Sequence, residues 1–110
     1  MRPMLRGDIW WVAFTSAIGG EVQKTRPAVI VSNNSNNAHG NRVQVLPITS
    51  NIARVYPSEA VVEVEGRTCK AMADQIMTVS TKRLKSKIGR ISAFELRDLE
   101  LAIRVQLGLM

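Results

Sequence analysis

Lys24-Thr25-Arg26-Pro27, running without a polar break into Ala28-Val29-Ile30-Val31, is the stretch around which the chain is organised. Pro27 fixes its own φ and pushes Arg26 toward extended backbone. The four β-favouring residues that follow read as a strand buried on both faces. Arg26 therefore stands where a loop enters a rigid core strand, a position that suits a catalytic or anion-binding guanidinium. The next apolar run ends in a second polar cluster, Pro47-Ile48-Thr49-Ser50. If the two runs pair, Arg26 and Thr49 share one end of a sheet. The pattern alone favours an ordinary rim arginine and an ordinary strand-end threonine, since strand ends often carry polar residues.

The 110 residues, 45% of them hydrophobic, suffice for one globular domain spanning 1–110 and are too few for two. No apolar run approaches the ~20 residues that span a bilayer, and the basic start lacks the apolar core of a signal peptide. Cys69 is alone, so no disulfide forms within the chain, and with one histidine the chain offers too few ligands for a nitrogen–sulfur metal site. The expectation is a cytoplasmic protein without metal or cofactor. A net charge of +6 calls for an anionic partner, nucleic acid or an acidic protein segment. Lys82, Arg83, Lys85, Lys87 and Arg90 cluster near the C-terminal third, either as a solvated face or as a phosphate-tracking one.

Taken in order, Gly7 to Phe14 is the first strand, with Ile9, Trp11 and Ala13 on one face and Trp10, Val12 and Phe14 on the other. Thr15 to Thr25 is a long loop around Gly19-Gly20 whose polar tip, Glu21, Gln23 and Lys24, can gate a site beside Arg26. The second strand runs from about Arg26 to Ser32. The polar segment Asn33 to Asn41 suits turns, and its amides also suit base edges on an unpaired strand. His39 has no acidic or thiol neighbour in sequence and reads as surface. Arg42 to Ile48 is the third strand and Glu59 to Val64 the fourth, closed by the tight turn Glu65-Gly66-Arg67. Thr68 to Val79 resumes as strand, with Asp74-Gln75 as polar interruptions. Ser80 caps a single helical turn, Lys87 to Ile91 is a short last strand, and Ser92 with Glu95 forms a capping box. Leu96, Leu99, Ile103 and Leu107 mark the buried face of the helix that Gly108 stops. Many strands and then one helix predict a mainly β fold, a small antiparallel barrel or curled sheet packed by a C-terminal helix.

Nine marks then stand in order: Arg6-Gly7-Asp8, Gly20-Glu21, Lys24-Thr25-Arg26-Pro27, Val31-Ser32-Asn33, Pro47-Ile48-Thr49-Ser50, Tyr56-Pro57, Asp74-Gln75-Ile76, Arg83-Leu84 and Ile88-Gly89. Together they resemble the MazF/PemK family of toxins from bacterial toxin–antitoxin modules, over nearly the whole chain. The resemblance implies an SH3-like barrel with a C-terminal helix, a homodimer, and metal-independent cleavage of single-stranded RNA. That RNA is messenger RNA, with transfer and ribosomal RNA as further candidates. It also implies a cognate antitoxin whose acidic, disordered tail covers the RNA groove. It carries catalytic roles onto Arg26, Thr49 and Glu21, and RNA-binding roles onto Lys24, Asn33, Asn37, Ser50, Arg54 and Gln75.

These residue types fit that chemistry. RNA brings its own nucleophile, the 2′-OH, and a protein can orient its attack and stabilise charge on the phosphorane. Arg26 offers a fork of donors to the nonbridging oxygens. Thr49 can bond the same phosphate or orient the hydroxyl. A guanidinium stays protonated and is a poor general base, which leaves Glu21 as a candidate. The expected products are a 2′,3′-cyclic phosphate and a 5′-OH. The competing expectations are a non-enzymatic gyrase poison on the same fold, as in the CcdB toxins, and an RNA-binding module without turnover.

Overall fold

The computed structural model describes residues 3–14 and 24–110, with Lys24 as backbone only. Glu21, Gln23 and the Gly19-Gly20 pair lie outside these residues. The elements are β1 (Asp8–Phe14), β2 (Lys24–Ile30), α1 (Asn34–His39), β3 (Arg42–Thr49), β4 (Glu59–Val64), β5 (Arg67–Met72), β6 (Met77–Ser80), β7 (Leu84–Arg90) and α2 (Ala93–Leu107). The seven described strands form one antiparallel sheet in the order β4-β5-β3-β2-β1-β7, with β6 also on β3. The sheet curls into the half-barrel expected from the strand-rich sequence, and α2 packs on β4.

The central strands read as unbroken apolar runs because both of their faces are covered. Alternate residues Ile9, Val29, Leu46 and Ile48 join Ala60, Val62, Leu99 and Ala102 in one core. Their neighbours Trp10, Val12, Ala28, Ile30, Val43 and Val45 build a second core with Val79 and Leu84. Trp10 is thus a core residue, its indole N–H unpartnered among the described residues. Trp11 points the other way and is 37% exposed.

One expected strand is two. Thr68 to Val79 is interrupted by a 3-10 turn at Ala73–Gln75. β5 pairs Ile48 and Thr49 at the end of β3, whereas β6 pairs Arg42 to Val45 at its beginning. The chain must step along β3 between the two, and the turn makes that step. Pro47, with no N–H to give, falls in the gap between the two pairings.

The Asn-rich segment also departs from the expected turn. Asn33 accepts the Asn36 N–H at 2.8 Å and caps the six-residue helix α1. Asn37, proposed from sequence as an RNA contact, is buried. Its amide donates to the Ser32 carbonyl at 3.0 Å and its oxygen accepts from the Ser32 hydroxyl. A buried amide must be satisfied internally, and this one is. His39 is exposed, as expected.

The basic cluster is largely committed to the fold. Asp8 is fully buried, with Arg90 at 2.9 Å and Lys87 at 3.4 Å. Arg83 donates to the Ala13 carbonyl. Lys82 and Lys85 remain exposed. At the C terminus the capping box of Ser92 and Glu95 is complete, and Glu95 also accepts the Glu63 N–H at 2.7 Å, which ties α2 to β4. Leu99 and Ala102 are the buried residues of α2, whereas Leu107, expected on the packed face, is 52% exposed in the last turn.

The hairpin between β4 and β5 closes through Val64 opposite Arg67, with Glu65 at φ 51° and Gly66 at φ 78°. Such a turn favours Asn-Gly or Asp-Gly, since both central residues take positive φ. Glu65 is the one non-glycine among the described residues in that region. Glu65→Asn should raise stability by about 0.5–1 kcal/mol by easing that strain, readable as a higher urea midpoint at unchanged m.

Candidate active site

β2 and β3 pair with Ala28 opposite Pro47, Val29 opposite Leu46 and Ile30 opposite Val45. Continuing that register by two residues sets Arg26 opposite Thr49. The two residues line one cleft of about 340 Å³ at the end of the half-barrel. Trp11, Pro27, Ile48, Val64 and Cys69 are its apolar lining. Arg26, Thr49 and Ser50 are polar lining residues, joined by Glu65 of the β4–β5 turn and Arg67 at the start of β5. Arg26 is exposed, so its fork of donors reaches solvent from a strand whose next four residues are rigid core or close to it.

The Thr49 hydroxyl is held in place. Its oxygen accepts the Asn51 N–H at 3.2 Å, and the Asn51 side chain accepts the Ala53 N–H at 3.2 Å, so two short local bonds fix the start of the segment after β3. Accepting the Asn51 N–H leaves the hydroxyl its own proton to donate. Beyond them, the Lys70 ammonium donates to the Arg54 carbonyl at 2.7 Å and to Glu59 at 2.9 Å. Lys70 is the β5 residue paired with Thr49, and it is buried. The Tyr56 N–H closes the arrangement on the same Glu59 oxygen at 2.8 Å. Burial by itself would raise the Glu59 carboxyl; the Tyr56 N–H and the Lys70 ammonium outweigh it and hold the group below the ordinary glutamate value.

Of the residues singled out in the sequence, the cleft gathers Arg26, Thr49 and Ser50. Arg54 stands beside it, its guanidinium 5.8 Å from the Tyr56 ring centroid. Asn33 caps α1 and Gln75 donates to the Met72 sulfur at 3.4 Å; neither lines this cleft. Lys24 enters β2 two residues before Arg26. Trp11, Glu65, Arg67 and Lys70 were not among the site residues read from the sequence. Lys70 had a visible signal, a lone cation inside the run Cys69-Lys70-Ala71-Met72.

Comparison with known proteins gives the family and the fold. The model of the family described as PemK-like, MazF-like toxin of type II toxin-antitoxin system matches residues 5–107. The chain is 43% identical to Endoribonuclease MazF9 of Mycobacterium tuberculosis (strain ATCC 25618 / H37Rv) over 115 residues, covering 96% of this chain and 98% of that protein. Its fold is similar to that in a MazE–MazF crystal structure from Deinococcus radiodurans, with a TM-score of 0.85, 24% identity and full coverage of both chains. It is also similar to a mycobacterial endoribonuclease solved in complex with its cognate antitoxin, with a TM-score of 0.80, 25% identity and 96% of each chain covered. With the Arg26–Thr49 cleft on the expected strands and the family model spanning almost its whole length, the chain belongs to the PemK-like, MazF-like toxins of type II toxin–antitoxin systems.

Proposed function

We propose that this toxin is an endoribonuclease that cuts single-stranded RNA by in-line attack of a ribose 2′-OH on its own phosphodiester, with Arg26 and Thr49 as the groups that act on the phosphate. The observation that supports this reading is that Arg26 and Thr49, on two paired strands, line the same cleft. Arg26 stabilises charge gathering on the nonbridging oxygens, and Thr49 donates to the same phosphate or aligns the attacking hydroxyl. Glu21, outside the described residues, is the proposed proton acceptor. The products are a 2′,3′-cyclic phosphate and a 5′-OH. Lys24, Ser50, Arg54, Asn33 and Gln75 are proposed to hold the strand on either side of the cut, by charge and by hydrogen bonds to base edges.

The partner is a cognate antitoxin with an acidic, disordered segment. Support comes from the net charge of +6 and from the antitoxin-bound state of the mycobacterial neighbour. The toxin works as a homodimer in the cytoplasm. Phe94, Leu101 and Val105 leave an exposed apolar stripe along α2 that suits a second copy, Phe94 being 77% exposed. No helix among the described residues is long and apolar enough to cross a membrane.

The test is incubation of purified protein with a long unstructured RNA in EDTA, followed by mapping of 5′-OH ends. A small set of sites is expected, and a DNA copy, which lacks the 2′-OH, stays intact. Thr49→Ala should keep its fold and lose about a hundredfold in cleavage rate. RNA bound tightly with no new ends would replace this reading by a binding module, and inhibited DNA supercoiling with intact RNA by a gyrase poison.

A further inference from the structure

The cleft is lined by both polar and apolar side chains. Arg26 and Thr49 line it together with Glu65 and Arg67, and Trp11 adds an aromatic side chain. Lys70 pairs with Thr49 across β3 and β5, and Arg67 begins the same strand three residues earlier. A nucleobase, with apolar faces and a polar edge, matches the two kinds of side chain that line the cleft.

Two further observations mark the turn. Among the described residues, Glu65 is the only acidic residue lining the cleft, and neither it nor Arg67 makes a side-chain hydrogen bond or ion pair with another described residue. Glu65 is also the one described non-glycine residue held at positive φ, where asparagine or glycine would sit with less strain. Strained backbone of this kind clusters at sites that bind or react.

Building on the proposed RNA cleavage, we infer that this cleft is a pocket for the base adjoining the scissile phosphate, and that Glu65 and Arg67 read its edge. An ionised carboxylate only accepts hydrogen bonds. It favours a base with an exocyclic amino group, adenine, cytosine or guanine. Uracil has a carbonyl on each side of its N3–H and sets oxygen against the carboxylate. The Arg67 guanidinium donates to the ring nitrogen or carbonyl next to that amine. Trp11 packs on the face of the base. The consequence is a cleavage motif depleted in uracil at one position next to the cut.

The experiment compares the parent with Glu65→Gly and Arg67→Ala on an RNA library randomised around the cleavage site, reading cut positions by 5′-OH mapping. Glycine suits the positive φ, so Glu65→Gly keeps the turn, and the melting temperature verifies it. The parent should disfavour uracil at one adjoining position by about five- to a hundredfold, the range of one good base-edge contact. Glu65→Gly should bring that preference to within about twofold and leave the other motif positions as they were. An unchanged motif in the folded variant overturns the inference. So does an equal loss of rate on every sequence, which would make Glu65 part of the chemistry. A parent that cuts no RNA at all overturns the proposed function instead.

Discussion

Arg26→Ala should fold as the parent does and cleave RNA about a hundred to a thousand times more slowly. The side chain is exposed and precedes the packed part of β2, so nothing in either core collapses when it is removed. In the proposed mechanism, what is lost is a donor fork for the phosphate, which interacts most strongly when charge has gathered there. The loss should therefore fall on kcat more than on KM. Arg26→Lys should recover only part of it, because an ammonium offers a point charge without the planar pair of donors. Single-turnover cleavage of a short single-stranded substrate, with circular dichroism melting alongside, measures both. Full activity in a folded Arg26→Ala protein would remove this residue from the mechanism.

The largest effect on stability is expected from Lys70→Met, which removes one partner of an ion pair whose side chains are 11% and 7% exposed. Methionine fills the space of the stem but leaves the Glu59 carboxylate buried beside the Tyr56 N–H alone. Breaking a buried pair this way costs about 3–5 kcal/mol, a drop in melting temperature of more than about 10 °C for a chain of this size. The pH dependence should change sign. In the parent, Glu59 is held below its ordinary value, so its contribution is present above that value and fades as pH falls through the folded one. In Lys70→Met, desolvation prevails and pushes the carboxyl up, so acidification protonates an unhappily buried charge and recovers stability. Urea unfolding from pH 7 down to about pH 4 separates the two slopes. A parallel pH profile in both proteins would mean that Lys70 does not govern Glu59. Because Lys70 also holds the Arg54 carbonyl, the variant should bind RNA more weakly as well.

The difference between these two residues shows how far a linear reading reaches. Arg26 was legible because proline follows it and a core strand follows proline; the local rules act within four residues. The capping box of Ser92 and Glu95, the Gly66 turn and the Gly108 stop were legible for the same reason. Lys70 was visible only as an oddity, since its partners Arg54 and Glu59 lie 16 and 11 residues away in the chain. The polar stretch from Asn33 looked like a turn because its side chains favour one, yet Asn33 itself starts a short helix, and Asn37 is buried under contacts with Ser32.

By itself, then, the order of residues determined most of the strands, the C-terminal helix with its caps, and the family, because these depend on near neighbours and on motif spacing. Tertiary structure alone decided that β3 is shared between β5 and β6, that the Lys87 and Arg90 cations serve a buried Asp8, and that Glu65 and Arg67 line one cleft with Arg26. Each of these joins groups far apart in sequence through strand register and burial. Both are properties of the whole packed sheet, since a shift of one residue in pairing would turn every side chain to the opposite face.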